Sequence, residues 1–264
     1  AGLRPPARGQ VSGAYVAPAT SAEIPEYKTF GYDRASIQYI GGPPMWQVFW
    51  TTTPVALPTT PHLPSFYISG VKDPVMTDEF IATIVVGAER AFGAGNFDLI
   101  LGLHPAEEGK PRDVSKQEWS KQRAAKLAES GGGILDGVSL VWPDPKIDSA
   151  QITISVDFPC STGGGTDGIV APMHRKRAFF WETDEVRKRN VTQLGREEWL
   201  PAEAKALIKV ESPDDVARAI ARLQNRHGLE LLTTNQERLY PRPSDEELAM
   251  PVAERILDFL DSRR

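Results

Sequence analysis

The sequence has 264 residues, of which 41% are hydrophobic and 25% charged, and a formal net charge of −5. These values are typical of a globular chain with a sizeable core and exclude disordered, collagen-like and disulfide-rich proteins. The mild acidity gives no general reason to bind nucleic acid, so nucleic acid is not an expected partner. The sequence starts without the apolar core of a signal peptide and has no long apolar run. We therefore expect a cytoplasmic protein with no membrane partner.

The amino-terminal quarter is rich in proline, which disfavours helices and central strands. Ten of the 22 prolines fall within residues 1–65. Residues 1–34 are predicted to be a proline-rich arm that has little to bury, and residues 35–72 a β-hairpin annex. The predicted strands of the annex are Ala35–Ile40, Trp46–Thr52 and Ser65–Val71.

Residues 73–264 are predicted to form the main core, in one mixed α/β domain with the annex. Apolar spacing and capping residues predict helices that begin at Thr77, Ser115 and Ser212, and a polar helical stretch is predicted around Asp184–Asn190. Gly93 and Gly228 are expected to end the first and last of these helices. A terminal helix is predicted to carry Leu248, Val252, Ile256, Phe259 and Leu260. The predicted strands are Phe97–Leu103, Ile134–Trp142, Ala150–Phe158, Arg177–Glu182, Ala206–Val210 and Leu229–Thr233. Their alternation with helices predicts a mixed β-sheet flanked by helices.

A glycine-rich segment, residues 157–168, follows one of the predicted strands. Glycines allow backbone N–H groups to converge on an anion, and hydroxyl groups add donors. The segment matches neither the P-loop nor the dinucleotide-binding fingerprint, and a flexible connection between two strands is the alternative interpretation. The predicted ligand-binding residues are Ser161, Thr162, Gly163, Gly164, Gly165 and Asp167, with Arg175 and Arg177 neutralising the charge of the ligand.

Three residues are candidates for catalysis: Cys160, His104 and His174. A cysteine nucleophile needs a nearby base, and either histidine can serve. His104 follows a predicted strand, so it would share a pocket with Cys160 if their two strands were parallel neighbours. The alternative for Cys160 is a small buried apolar residue, which is the usual role of a lone cysteine.

Two further patterns suggest other functions. Asp98 with Glu108-Gly109-Lys110 has the order of acidic residues and lysine found in metal-dependent nucleases, and Asp184 with Glu203-Ala204-Lys205 repeats it. Residues 174–177 and 187–189 are basic and flank Phe179, Phe180 and Trp181, an arrangement that can stack nucleic-acid bases. The alternative is that the aromatic residues fill the core while the cations pair with surface carboxylates.

The sequence thus favours a soluble enzyme that binds an anionic or phosphorylated small molecule at the glycine-rich segment. No cofactor is indicated, and the scattered histidines predict no metal site. One alternative is a non-catalytic subunit of a larger assembly, because the arm at residues 1–34 would be ordered by a homo-oligomer or another assembly partner. A metal-dependent nuclease is the second alternative.

Overall fold

The computed structural model describes residues 47–104, 106–130, 133–162, 165–194 and 199–261. Within these residues, six strands alternate with helices. The strands are β1 (Ser65–Ser69), β2 (Asp98–Gly102), β3 (Ser139–Leu140), β4 (Phe158–Ser161), β5 (Phe179–Trp181) and β6 (Ile208–Val210). The helices are α1 (Gln47–Thr51), α2 (Pro74–Phe92), α3 (Lys116–Ser130), α4 (Ser149–Ser155), α5 (Thr166–Met173), α6 (Asp184–Leu194), α7 (Leu200–Glu203), α8 (Pro213–Gln224), α9 (Arg226–Leu239), α10 (Asp245–Ala249) and α11 (Val252–Asp261).

The strands form one sheet in the order β3-β2-β1-β4-β5-β6, and all five pairings are parallel. The predicted α/β fold class, with a sheet flanked by helices, is therefore confirmed. β1 pairs with β2 on one side and with β4 on the other, where Phe66 lies opposite Phe158. The chain therefore adds β2 and β3 on one side of β1 and then β4, β5 and β6 on the other side. The strand order reverses between β1 and β4, as in doubly wound dinucleotide-binding folds. The strand expected within the annex at Ser65–Val71 forms over Ser65–Ser69 and is one of the two central strands of this sheet.

Both faces of the sheet are covered. Side chains on one face pack into the main hydrophobic cluster with α2, α3 and α8, including Phe66 and Ile68 of β1. Tyr67 points to the opposite face, where it packs with residues such as Ile152 of α4. This alternation is the two-residue period expected of a strand. None of the described helices is long and apolar enough to cross a membrane.

Helix α2 forms where its apolar spacing predicts, but it begins earlier than expected. Asp73 is its N-cap and accepts hydrogen bonds from Val75 N and Met76 N, so the prediction of a cap at Thr77 is wrong. The Thr77 hydroxyl is bonded inside the helix, to the carbonyls of Val71 and Asp73. Gly93 ends the helix as predicted, with a φ of 89°.

Helix α8 has the predicted capping box, in which Ser212 and Asp215 satisfy each other's backbone N–H groups. The helix ends at Gln224, and Gly228 lies inside the next helix instead of ending α8. The strand predicted at Leu229–Thr233 is therefore wrong, because these residues belong to α9.

The strand predicted at Ala150–Phe158 is also wrong over most of its length. Asp148 and Gln151 form a capping box that starts α4 at Ser149, and the strand begins only at Phe158. The β-branched residues Ile152, Thr153 and Ile154 lie in this short helix and are buried. The capping box and burial together outweigh their intrinsic preference for strands.

The predicted hairpin annex is contradicted at its second strand. Trp46–Thr52 was expected to be extended, but Gln47–Thr51 is helical. Gln47 donates hydrogen bonds from its side chain to the carbonyls of Leu248 and Met250, which lie near the carboxyl end of the chain. The other predicted strand, Ala35–Ile40, and the arm at residues 1–34 lie outside the described residues.

Candidate functional site

An open cleft of about 650 Å³ lies at the carboxyl ends of β1 and β4, where the chain changes direction across the sheet. Ligands bind at this position in open parallel α/β sheets, because loops diverge there and leave a crevice. The lining residues come from the loops after β1, β2 and β4 and from α6: Ser69, Gly70, Val71, Lys72, Asp73, Met76, His104, Glu108, Ser161, Thr162, Gly165, Glu185, Lys188 and Thr192.

The loop after β4 leads directly into the amino terminus of α5, so the glycine-rich segment connects a strand to a helix. Gly165 is the N-cap and provides no side-chain hydrogen bond to the helix. A Cβ atom built on Gly165 would meet no described atom within 4 Å, which shows that the space beside it is open. The first N–H groups of α5 and the positive end of its dipole can therefore receive an anion.

Ser161, the last residue of β4, lies beside this helix end. Its residue is only 6% exposed, and its Oγ has no hydrogen-bond partner among the described residues. Leaving a buried hydroxyl unpaired is costly, so such a group in a binding cleft indicates a missing ligand or water.

The loops after β1 and β2 place charged and titratable groups on the other side of the cleft. Burial and the charges of Lys72 and Lys116 lower the pKa of His104 below its usual value, so His104 is neutral at pH 7. Ala106 N donates to His104 Nδ1 at 3.0 Å. The proton of the neutral ring is therefore on Nε2, which is left as a hydrogen-bond donor.

Helix α6 contributes a third wall. Lys188 and Glu185 both line the cleft, and their charged groups are 3.3 Å apart. The opposite charges of this exposed pair largely offset each other in the free protein. An anionic ligand would compete with Glu185 for the lysine.

A buried carboxylate lies behind the cleft. Asp167 is in the first turn of α5, and its Oδ1 accepts a hydrogen bond from Thr153 Oγ1 at 2.7 Å. Burial raises the pKa of Asp167, and the positive charge of Lys116 partly opposes this effect. Asp167 does not line the cleft, so its position suits it to fixing the start of α5 against α4.

A second, smaller cavity of about 180 Å³ lies at the carboxyl ends of β2 and β3. Its walls are mostly apolar and include Ile100, Trp142, Pro143, Ile147 and Ile152. Lys116 also lines this cavity, and its charge acts on His104 in the cleft. The two cavities are therefore neighbours along the same edge of the sheet.

The structure brings together four of the residues predicted from sequence, because Ser161, Thr162, Gly165 and His104 all line the cleft. Gly163 and Gly164 lie outside the described residues.

Cys160 is not among the residues that line the cleft. It is fully buried in the main hydrophobic cluster, and burial raises the pKa of its thiol well above the usual value. A thiol in such surroundings is a poor nucleophile.

The other predicted residues lie away from the cleft. His174 follows the last residue of α5, about 12 Å along the helix from its start, and its Nε2 is 2.6 Å from the carbonyl oxygen of Phe49. Arg175 donates to the carbonyl oxygen of Tyr240. Arg177 lies over the ring of Phe158, at the start of β4 and thus at the opposite edge of the sheet.

The residues of the nuclease pattern are also separated. Asp98 begins β2 and accepts hydrogen bonds from Thr60, whereas Glu108 follows the other end of that strand. Among the described residues, no group of three or more His, Cys, Asp or Glu side chains is placed to hold a metal ion.

The basic region follows the alternative interpretation. Phe179, Phe180 and Trp181 are buried in the core. Arg187 pairs with Glu182 and with Asp184.

Sequence reasoning missed the contribution of β1. Ser69 at the end of this strand and the residues that follow it, as far as Asp73, form one side of the cleft. The signal was present, since an apolar strand is followed by Asp73-Pro74 and a helix. The proline-rich surroundings led to the annex interpretation instead.

No family model matches the sequence, and no curated protein sequence matches it. Solved structures do match the fold. One is a candidate UDP-N-acetylglucosamine 2-epimerase from Listeria monocytogenes, with a TM-score of 0.56 and 14% identity over 94% of this chain. Another is S. aureus MnaA in a co-structure with UDP, with a TM-score of 0.53 and 14% identity over 93% of this chain. A third is CalG4, the calicheamicin glycosyltransferase, with a TM-score of 0.53 and 13% identity over 96% of this chain.

What these proteins share with the chain is the fold. It is an α/β fold in which helices flank a parallel sheet. The chain spans 59%, 60% and 53%, respectively, of the lengths of these three structures.

Proposed function

We propose that the chain is the nucleotide-binding part of an enzyme that acts on a nucleotide sugar, with the diphosphate bound in the cleft. The observation that carries this proposal is the buried hydroxyl of Ser161, which has no partner among the described residues and lies beside the open amino terminus of α5. Phosphate groups are the ligands that such a helix end and hydroxyl bind best.

The cleft has cations and a hydrogen-bond donor for a diphosphate, although the carboxylates of Asp73, Glu108 and Glu185 also line it. Lys72 and Lys188 are cations in the lining, and neutral His104 presents a donor from Nε2. Departure of a nucleoside diphosphate from a sugar leaves negative charge on the phosphate oxygens. Fixed backbone N–H groups and a lysine stabilise that charge without reorganisation, which is how such a site would accelerate the reaction.

The second cavity supports a nucleotide over a simple sugar phosphate. It is mostly apolar and lies next to the cleft, with Trp142 and Pro143 in its wall. A nucleobase is a flat, weakly polar group that packs well against such side chains. The co-structure of MnaA with UDP makes UDP the first ligand to test.

A calorimetric titration with UDP, UMP and uridine tests the proposal directly. We expect affinity to fall in that order, because each lost phosphate removes contacts with α5 and with Lys72. Lys72→Met is expected to weaken UDP binding about tenfold, the effect of losing one charge-assisted hydrogen bond in a partly exposed site.

Lys126→Met is the matched control, since Lys126 is exposed on α3 and does not line the cleft. Its UDP affinity should equal that of the unaltered protein. The proposal is wrong if UDP at about 1 mM, the weak end of specific binding, gives no heat. It is equally wrong if UDP binds no more tightly than uridine.

A further inference from the structure

The buried carboxylate of Glu107 does not line the cleft, but its contacts connect it to residues that do. Glu107 lies on the loop after β2, between the cleft residues His104 and Glu108, and is only 3% exposed. Its Oε2 accepts a hydrogen bond from Trp119 Nε1 at 2.7 Å. Its Oε1 is 3.4 Å from Nε of Arg123. Both partners are on α3, so Glu107 fixes this loop to that helix.

Arg123 extends the same network to the other side of the cleft. Its guanidinium donates to the carbonyl oxygen of Pro74 at 3.2 Å and pairs with Asp78. Both groups belong to the first turns of α2, which directly follow the cleft residues after β1. A backbone hydrogen bond of 2.8 Å from Glu108 N to the carbonyl oxygen of Lys72 joins the two loops.

The contacts of Glu107 also define the conformation of the turn that carries His104. Glu107 N donates to the carbonyl oxygen of His104 at 3.0 Å. This backbone bond closes the turn, and the side-chain contacts of Glu107 with Trp119 and Arg123 attach the turn to α3 while His104 lines the cleft. A buried ion pair often adds little net stability compared with apolar packing. It fixes geometry because moving either group away would leave the other charge buried without a partner.

We propose that Glu107 is a positioning residue that holds His104 and Glu108 in the cleft next to Lys72, through its contacts with Trp119 and Arg123. This inference rests on the proposed function, in which the cleft binds a diphosphate, but the placement of His104 can be tested without any ligand. Burial raises the pKa of Glu107. That shift is a consequence of the buried position and is not needed for the inference.

The test uses Glu107→Gln, which removes the charge, and Trp119→Phe, which removes only the indole N–H and part of the ring. Glu118→Gln is the matched control, because Glu118 is on α3 beside Trp119 and its carboxylate accepts a hydrogen bond from Gln122. The first readout is an NMR titration of the imidazole of His104, assigned with a His104→Gln variant. It is measured together with the melting temperature.

We expect the pKa of His104 to rise toward 6.5, its usual value, in Glu107→Gln and Trp119→Phe, because the imidazole becomes less buried and moves away from Lys72 and Lys116. The control should keep the lowered pKa. A role in stability alone would lower the melting temperature and leave the pKa of His104 unchanged, which would overturn the proposal. If Glu107→Gln does not fold, the milder Trp119→Phe variant decides the question.

UDP titration is the second readout. Affinity should fall about tenfold in both variants, because a displaced loop would lose one charge-assisted hydrogen bond to the diphosphate. If the pKa of His104 rises but even the unaltered protein does not bind UDP, the proposed function fails while the positioning role stands. If UDP binds with equal affinity to all variants, Glu107 does not position the binding residues.

Discussion

Replacing Ser161 by alanine should have opposite effects on stability and on binding. Its hydroxyl is buried and has no partner among the described residues, and a buried hydroxyl that stays unpaired in the free protein costs about 1–3 kcal/mol. Removing the hydroxyl should therefore stabilise the free protein by about 1 kcal/mol, which raises the melting temperature of a domain of this size by about 2–4 °C. UDP affinity should fall by about 1.5–3 kcal/mol, or about 10- to 100-fold, through loss of a hydrogen bond to a charged phosphate.

Ser65→Ala is the matched control for this experiment. Ser65 is 5% exposed, but its Oγ donates to Asp157 Oδ2 at 2.9 Å. It lies at the opposite end of β1 from the cleft. Its loss should destabilise the protein by about 1–2 kcal/mol and leave UDP affinity unchanged.

Differential scanning calorimetry and titration with UDP measure both effects on the same samples. If Ser161→Ala loses as much stability as Ser65→Ala, the Ser161 hydroxyl is satisfied in the free protein. If it binds UDP as tightly as the unaltered protein, the hydroxyl does not contact the phosphate. Either result would refute the reasoning that assigns this group to a ligand.

Three other changes test single contacts. A bound diphosphate favours protonated His104, so its pKa should be higher in the complex than in the free protein, and binding of a nucleotide sugar should strengthen as the pH falls below about 6.5. Calorimetry at several pH values would show this dependence, and His104→Gln should abolish it. Ser212→Ala should cost about 1 kcal/mol of stability in a denaturant titration, the usual loss for a helix cap, with no change in UDP affinity. Cys160→Ala should lower the melting temperature and preserve UDP binding. Loss of UDP binding would show that Cys160 belongs to the binding site.

Long periodic segments were predictable because their local signals and their burial agree. The apolar spacing of α2 and the capping box of Ser212 both specify helices that the structure has. Short segments could not be predicted in this way, because their structure depends on partners that are distant in the sequence. Ile152 and Ile154 favour a strand locally, but burial of α4 against the sheet and α5 decides the outcome.

The candidate site was predictable only in part for the same reason. The rule that ligands gather at the carboxyl ends of strands found His104, Ser161 and Thr162. The rule could not place Cys160, because its position depends on where β4 lies in the sequence. A strand that ends at Phe158 leaves Cys160 in the loop beyond it, whereas the observed strand, Phe158–Ser161, places it in the core. Nor could the rule find Lys72, since β1 becomes a binding strand only by pairing with β4, far away in the sequence.

If the diphosphate binds at the start of α5, backbone N–H groups provide much of the affinity, and access to them matters more than any one side chain. Gly165 controls this access. It has a φ of −94°, which any residue can adopt, and open space beyond its Cα. Gly165→Val should therefore keep the melting temperature within a few degrees while reducing UDP affinity more than Lys72→Met does. Gly168→Ala is the contrasting variant, because its Cβ would collide with Cη2 of Trp199 and should destabilise the fold. Unchanged UDP binding by Gly165→Val would place the diphosphate away from α5 and leave the unpaired hydroxyl of Ser161 without the ligand proposed for it.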